Sequence, residues 1–353
     1  MSITVYVCTH KKAPFPADAV YHPLHVGRAA SCDLGYDGDD TGENISAKNN
    51  RYGELTGLYW IWKNSPEWGY VGLCHYRRYF LNNDGEILTG AEFETLLSDT
   101  DVIVSKEIDA RMPYLAYYNE AHDPRQQELV REAIFKTVPE YLDIYDEVMG
   151  QPFYHYGNLC VMRRELLNDY CAWLFAILTY VEERLDVSGY DAYHARVYGF
   201  LSEQLLRVWI AAHKLSFYAC PIGITSEKAE TKEFKLAMGQ LVKMGQVEQA
   251  RQMFAEVLRV RPDIALELSD ISGEIPVIGC VLNILAAEGE AGRQNGLYAY
   301  TKDLPTMVEH VKKLTEIVAA HKEHSRDARE YMKRTYVTDA ALSSVRSQIR
   351  NSP

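Results

Sequence analysis

Tyr70-Val71-Gly72-Leu73-Cys74-His75-Tyr76-Arg77-Arg78-Tyr79-Phe80 is a short apolar run that ends abruptly in an imidazole, two guanidinium groups and three aromatic rings. An apolar run of this length reads as a buried strand, and the polar residues after it are delivered to one edge of a sheet. Open α/β sheets take their ligands in the crevice beyond the strand ends. Adjacent arginines among tyrosines suit a phosphorylated, ring-bearing ligand of the nucleotide-sugar kind.

The same pattern recurs on either side. Ile3-Thr4-Val5-Tyr6-Val7-Cys8 predicts a first strand that stops at Thr9-His10-Lys11-Lys12, and His25–Ala29 a short second one. A glycine-rich polar loop covers residues 34–44, Ser46 is placed to cap a helix, and Tyr52, Leu55, Tyr59 and Trp62 mark the buried stripe of a helix over 47–63. Further strands are predicted at 101–104, 157–162 and 215–220, with helices after Pro124, over 165–183, and over 200–213 with Ser202 as its cap. Alternating strands and helices predict an α/β fold: a mostly parallel sheet sandwiched by helices.

Composition divides the 353 residues near Ser226. Residues 1–225 hold 31 Asp+Glu against 19 Lys+Arg and 21 of the 25 Tyr, whereas 226–353 hold 18 of each charge, so the net charge of −12 belongs to the first part. Two domains follow, 1–225 and an all-helical 226–353. In the second, Leu241, Gly245, Ala250, Phe254 and Pro262 fall at the offsets of one tetratricopeptide-like hairpin, residues 305–335 form one or two helices, and the tail after Val337 reads as frayed. The acidic balance argues against a nucleic-acid partner. No stretch approaches the roughly 20 apolar residues of a membrane helix, and the N-terminus has no signal pattern, which predicts a cytoplasmic protein. The seven cysteines (8, 32, 74, 160, 171, 220, 280) are scattered, without a Cys-x-x-Cys, and read as reduced thiols.

The ordered set Tyr6–Lys11, Asp40–Ser46, Tyr52-Gly53-Glu54-Leu55-Thr56-Gly57-Leu58-Tyr59-Trp60 and Gly72–Tyr79, continued by Asn158–Met162 and Gly199–Glu203, resembles a bacterial family long catalogued only as a domain of unknown function, encoded among capsular, exopolysaccharide and O-antigen genes. The resemblance spans about residues 3–225. It implies a glycosyltransferase of GT-A-like, Rossmann-type architecture, with some relatives similar to galactosyl or galactofuranosyl transferases.

Such an enzyme must hold a nucleotide diphosphate sugar, neutralise the departing diphosphate and, if inverting, deprotonate an acceptor hydroxyl. Thr9, His10 and Lys11 stand at the exit of the first strand, where these folds hold the donor. Asn44, Ser46 and Asn49 offer hydrogen bonds near a helix N-terminus, as ligand contacts or as plain capping. The Asp-x-Asp that usually holds a divalent cation has no counterpart after the 70–75 strand, which ends in His75-Tyr76-Arg77; Arg77 and Arg78 are placed to supply the positive charge instead. Asp37-Gly38-Asp39-Asp40 contains the motif but reads as a solvated turn, so no metal ligand is assigned and dependence on Mn²⁺ or Mg²⁺ is left in doubt. Glu203, in the first turn of a helix, is the first choice of base, or simply an acid favoured by the helix dipole; Asp191 is the reserve. Tyr154, His155 and Tyr156 are placed to stack on acceptor sugar rings, or to pack at a seam.

The expectation is a transfer of hexose, galactose or galactofuranose, from a UDP-sugar to a hydroxyl of a glycan or lipid-linked acceptor, with peripheral contact at the inner membrane face and a surface for oligomerisation on the C-terminal helices. The rival is a non-catalytic scaffold of the same fold that recruits other synthesis enzymes. A nucleotide-sugar hydrolase or epimerase fits less well, because no Gly-x-Gly-x-x-Gly follows the first strand.

Overall fold

The computed structural model describes residues 2–66, 68–266, 268–292, 295–319, 326–334 and 336–351. Two compact units divide the chain, Met1–Thr225 and Ser226–Pro353. In the first, β1 (Ile3–Thr9), β2 (Tyr21–His25), β3 (Asp37–Gly38), β4 (Tyr70–His75), β5 (Arg78–Phe80), β6 (Val102–Ser105), β9 (Cys160–Arg163), β10 (Phe217–Cys220) and β11 (Ile222–Ile224) form one nine-stranded sheet, while β7 (Glu107–Asp109) and β8 (Phe153–His155) pair separately. The main order is β10-β6-β9-β4-β1-β2-β3. Along it β9 alone is reversed: it runs antiparallel to both β4 and β6, and the ladders β1–β2, β1–β4, β2–β3 and β6–β10 are parallel. The mixed α/β fold with a mostly parallel sheet is therefore the one the alternation predicts.

Side chains alternate across this sheet with a period of two, and both faces are buried. Tyr6, Cys8, Val71, Leu73, Val102, Val104, Cys160 and Met162 join one core with the helices Leu55–Asn64, Pro124–Thr137, Arg164–Glu182 and Val197–His213. Val5, Val7, Cys74, Ile103 and Val161 face the other way, onto Phe93 and Leu97 of the helix Gly90–Asp99. Among the described residues all seven cysteines are free, and only Cys32 is exposed.

Several local expectations are corrected. The second strand ends at His25, and residues 28–30 form a 3-10 turn. The helix expected over 47–63 is broken into Asn49–Tyr52 and Leu55–Asn64 at Gly53, whose φ of 56° lies in the left-handed region. Ser46 caps no helix, because its hydroxyl donates to Asp39. Ser202 lies inside the helix Val197–His213 and donates to Asn158 Oδ1 at 2.7 Å.

The second unit has its own core. The helices Ala229–Lys243 and Val247–Val260 form the hairpin, turning at Gly245, and the Phe254 ring lies against Gly279 of the helix Glu274–Glu290. That helix packs on Leu304–Ala319 and on Asp339–Asn351. The tail is thus no frayed end: Ala341 and Val345 are fully buried among Val281, Leu285 and Val311. Residues 320–325 and 335, within the stretch predicted as helical, lie outside the described residues.

Gly72 is where β9 approaches β4 most tightly: a Cβ there would meet the Cys160 carbonyl oxygen at 2.0 Å. Gly72→Ala should lower the stability of this unit by about 1–3 kcal/mol or more. A fall in the urea midpoint of tryptophan fluorescence checks this, since all five Trp belong to residues 1–225.

Candidate functional site

Because β9 runs against its neighbours, the residues that lead into it meet the C-terminal end of β4. Leu73 pairs with Cys160, so the preceding Gly157-Asn158 lies beside His75. Asn158 Nδ2 donates to Glu54 Oε1 at 2.8 Å and to the Gly199 carbonyl at 3.2 Å. The amide N–H of Gly157 donates to Glu203 Oε1 at 3.1 Å. Two consecutive residues thus hold two carboxylates, one from the segment before the helix Leu55–Asn64 and one from the helix Val197–His213.

An imidazole and three guanidinium groups close the cluster. His75 Nε2 lies 3.7 Å from Glu54 Oε1, and Arg196 3.9 Å from Glu54 Oε2. Arg78, buried in β5, donates to the Tyr156 hydroxyl at 3.0 Å with its guanidinium 4.3 Å above that ring. Arg77 is also buried, and its carbonyl accepts from the Thr225 amide. At the neighbouring exit of β1, the His10 ring meets Tyr76 edge-on at 5.4 Å and Lys11 Nζ stands 5.1 Å from the same ring. The buried Thr9 hydroxyl closes its own turn on the Lys11 carbonyl.

The environment drives the two carboxyls apart. Burial and the nearby Glu54 charge push Glu203 up to about 8, against the pull of Arg78, the Gly157 amide and Arg196. Burial would raise Glu54 too, but the His75 imidazole, the Arg196 guanidinium and the Asn158 amide outweigh it and hold Glu54 below the ordinary carboxylate range. His75 is held down at about 3 by burial, with Arg78, Arg77 and Arg196 acting in the same sense against Glu54. At neutral pH the cluster is a neutral imidazole, an ionised Glu54 and a largely protonated Glu203. One carboxyl poised near neutrality beside one that stays ionised is a division of labour that acid–base chemistry uses.

Of the residues singled out in the sequence, His75, Arg77, Arg78, Glu203 and Tyr156 come together here, and Thr9, His10 and Lys11 stand at the same sheet edge. The others are placed differently. Asn44 ties its own loop through the Asp40 and Gly42 carbonyls, and Asn49 bonds to the Gly53 carbonyl and Thr56. Ser46 and Asp39 are both fully buried, and Asp39 accepts from the amides of Gly27 and Arg28 and from Ser46, so Asp39 anchors this loop from inside and is no part of a solvated turn. With both oxygens so engaged and Asp37 exposed in β3, this motif does not fit a metal cradle. Among the described residues no group of three or more His, Cys, Asp or Glu does. Asp191 caps the 3-10 turn at His194, accepting from the Tyr193 and His194 amides and from the His194 ring at 2.6 Å. Tyr154 is buried with its ring stacked on Tyr117, and His155 bonds to the Ser105 carbonyl at 2.6 Å, so neither ring is presented to a ligand.

Glu54, Asn158 and Arg196 are the members that sequence reasoning missed. A signal for Glu54 existed: a glycine that breaks a helical stripe, followed at once by an acid.

Residues 4–214 match the family model described as Domain of unknown function (DUF4422). No curated protein matches the chain. A solved structure, that of the WbbM bifunctional glycosyltransferase in its apo form, is similar at 29% identity with a TM-score of 0.57. The match covers 64% of this chain and 46% of that one, so this chain corresponds to less than half of that protein.

A raised carboxyl binds its proton more tightly folded than unfolded, so its contribution to stability is complete below about 4.5 and is lost as pH rises through about 8. His75, His155 and His310, held down at about 3–4, act in the opposite sense below about 6.5, so the check is the difference between the two proteins: the urea midpoint of the wild type should fall relative to that of Glu203→Gln as pH rises from about 4.5 to about 8.

Proposed function

We propose that this chain, which belongs to the DUF4422 family, is a glycosyltransferase that moves a hexose, galactose or galactofuranose, from a UDP-sugar to a hydroxyl of a glycan or lipid-linked acceptor in bacterial surface polysaccharide synthesis. The carrying observation is Glu203, held by the Gly157 amide and poised near 8, within the field of the buried Arg78 of β5. A base of that strength, once ionised, accepts a hydroxyl proton readily at neutral to mildly alkaline pH. Fixed guanidinium groups stabilise the charge that develops on a departing diphosphate without having to reorganise. Likeness to a bifunctional glycosyltransferase supports the reaction class.

In this reading the donor lies along the exits of β1 and β4, with Lys11, Arg77 and Arg78 toward its phosphates. The acceptor hydroxyl approaches Glu203, which takes its proton as the new glycosidic bond forms and the bond to the diphosphate breaks. His75, neutral, adds no competing charge, and Tyr156 holds the Arg78 plane. No step is routed through a metal. Residues 226–353, which lie beyond the family match, are assigned to partner or membrane-face contacts, and the working place is the cytoplasmic side. Among the described residues no helix is long and apolar enough to cross a membrane.

Calorimetric titration with UDP-, GDP-, CMP- and dTDP-linked compounds, with Mn²⁺ and again with EDTA, tests the reading. Selective binding of UDP compounds that survives EDTA is expected, and binding that needs Mn²⁺ would return attention to the acidic residues. No nucleotide binding at all would sink the enzyme reading in favour of a scaffold. Arg78→Ala should weaken UDP binding about 10- to 100-fold. With a competent acceptor, kcat/KM should climb with pH and level off above about 8, and Glu203→Gln should cost about 10²- to 10⁴-fold in rate.

A further inference from the structure

We infer that Glu54 is a positioning residue for Glu203: through Asn158 it fixes the turn whose amide holds the Glu203 carboxyl, and it faces that carboxyl as a permanent negative charge. The inference rests on the reading of Glu203 as the base. Glu54 itself is buried and already engaged by Asn158, with His75 and Arg196 close by, so it is poorly placed to meet an acceptor.

The mechanical link is a closed set of contacts. Glu54 Oε1 accepts from Asn158 Nδ2, while Asn158 Oδ1 accepts from Ser202, the residue preceding Glu203. Ser202 also donates to the Gly199 carbonyl at 2.8 Å, which Asn158 Nδ2 shares. The amide that holds Glu203 belongs to Gly157, the residue before Asn158. Freeing Asn158 from Glu54 would therefore loosen both the amide donor and the helical turn that face each other across the Glu203 hydrogen bond.

The electrical link follows from what surrounds Glu203. Arg78 from β5 and Arg196 from the 3-10 turn before its helix favour its ionised form, whereas Glu54 opposes it. Tyr114 and Tyr118 of the helix Tyr114–Ala121, and Tyr154 of β8, complete the surroundings, and their phenols are raised by burial first and by Glu203 in lesser part. Those phenols are neutral at any working pH, so beside burial, which raises Glu203 most, and the Gly157 amide, which lowers it, the charges acting on it are two guanidiniums against one carboxylate. Arg196 lies 3.9 Å from Glu54 and is half-exposed, so it couples the two carboxyls to solvent.

The test is a direct titration of Glu203 by carbon-13 NMR of the labelled side chain in resting protein, needing no substrate. Glu54→Gln keeps an oxygen for Asn158 but removes the charge, and should lower the Glu203 midpoint by about one pH unit, a roughly tenfold loss of proton affinity. Arg196→Gln, at a half-exposed position that tolerates polar change, should move the midpoint upward. Opposite shifts from the two variants support the inference, and a merely structural role would not produce them. An unmoved midpoint in Glu54→Gln, or the same direction in both variants, overturns it; should Glu54→Gln not fold, an unmoved or lowered midpoint in Arg196→Gln does so alone. If the midpoints shift as stated while no donor binds, the enzyme reading fails and only the effect of Glu54 on the Glu203 carboxyl stands.

Discussion

The reversed strand β9 is the constraint on which the site depends. Set between β4 and β6 and antiparallel to both, it begins where they end. An all-parallel sheet would place the residues before each strand at the opposite edge from the ligand crevice. Here Tyr156, Gly157 and Asn158 instead arrive beside His75 and Arg78, and offer an aromatic face to Arg78, an amide N–H to Glu203 and a carboxamide to Glu54. Gly72 permits the close approach, since any side chain there would meet the β9 backbone.

What gathers at that edge is an arrangement that stability by itself does not favour. Burying ions costs free energy that their mutual attraction recovers only with good geometry and further hydrogen bonds. The cluster nevertheless sets His75, Arg77, Arg78, Arg196, Glu54 and Glu203 within one another's fields. Perturbed titration of this sort is characteristic of sites that do chemistry. Asn158 is the neutral member that lets the two acids coexist, by donating to one and accepting from the residue before the other.

The C-terminal unit contrasts with this. Its core of Phe234, Met238, Ile278, Val281, Leu285, Met307, Val311, Leu314 and Val345 is contributed by helices from its whole length, including the last. The residues at tetratricopeptide-like offsets fall on the first two helices and the turns around them, and these helices pack on Glu274–Glu290 and Leu304–Ala319 of the same unit. The last helix was misjudged because Ala341 and Val345 are small apolar residues in a polar stretch, and only their packing partners make them core.

Much of the first unit was legible from local pattern alone. Buried strands at 3–9, 70–75, 102–105 and 160–163 follow from apolar runs, and the helices from their stripes, because these depend on residues close in the chain. The same reading singled out His75, Arg77 and Arg78, at the ends of β4 and β5, and Glu203, which lies in the second turn of the helix Val197–His213 and not in the first turn expected for it, because that helix begins three residues earlier. It misplaced Asn44, Ser46, Asn49, Tyr154 and His155, since a polar or aromatic side chain in a loop looks alike whether it meets a ligand or its own backbone. Sequence by itself determined the alternation of strands and helices that makes a mixed α/β sheet, and the basic residues that follow the β4 run. Only the tertiary structure decided the reversal of β9 and, with it, the meeting of Glu54 with Glu203 across a sequence gap that no local rule spans. The physical reason is that strand order and the field around a buried carboxyl are set by contacts between distant segments, and neither leaves a periodic trace in the chain.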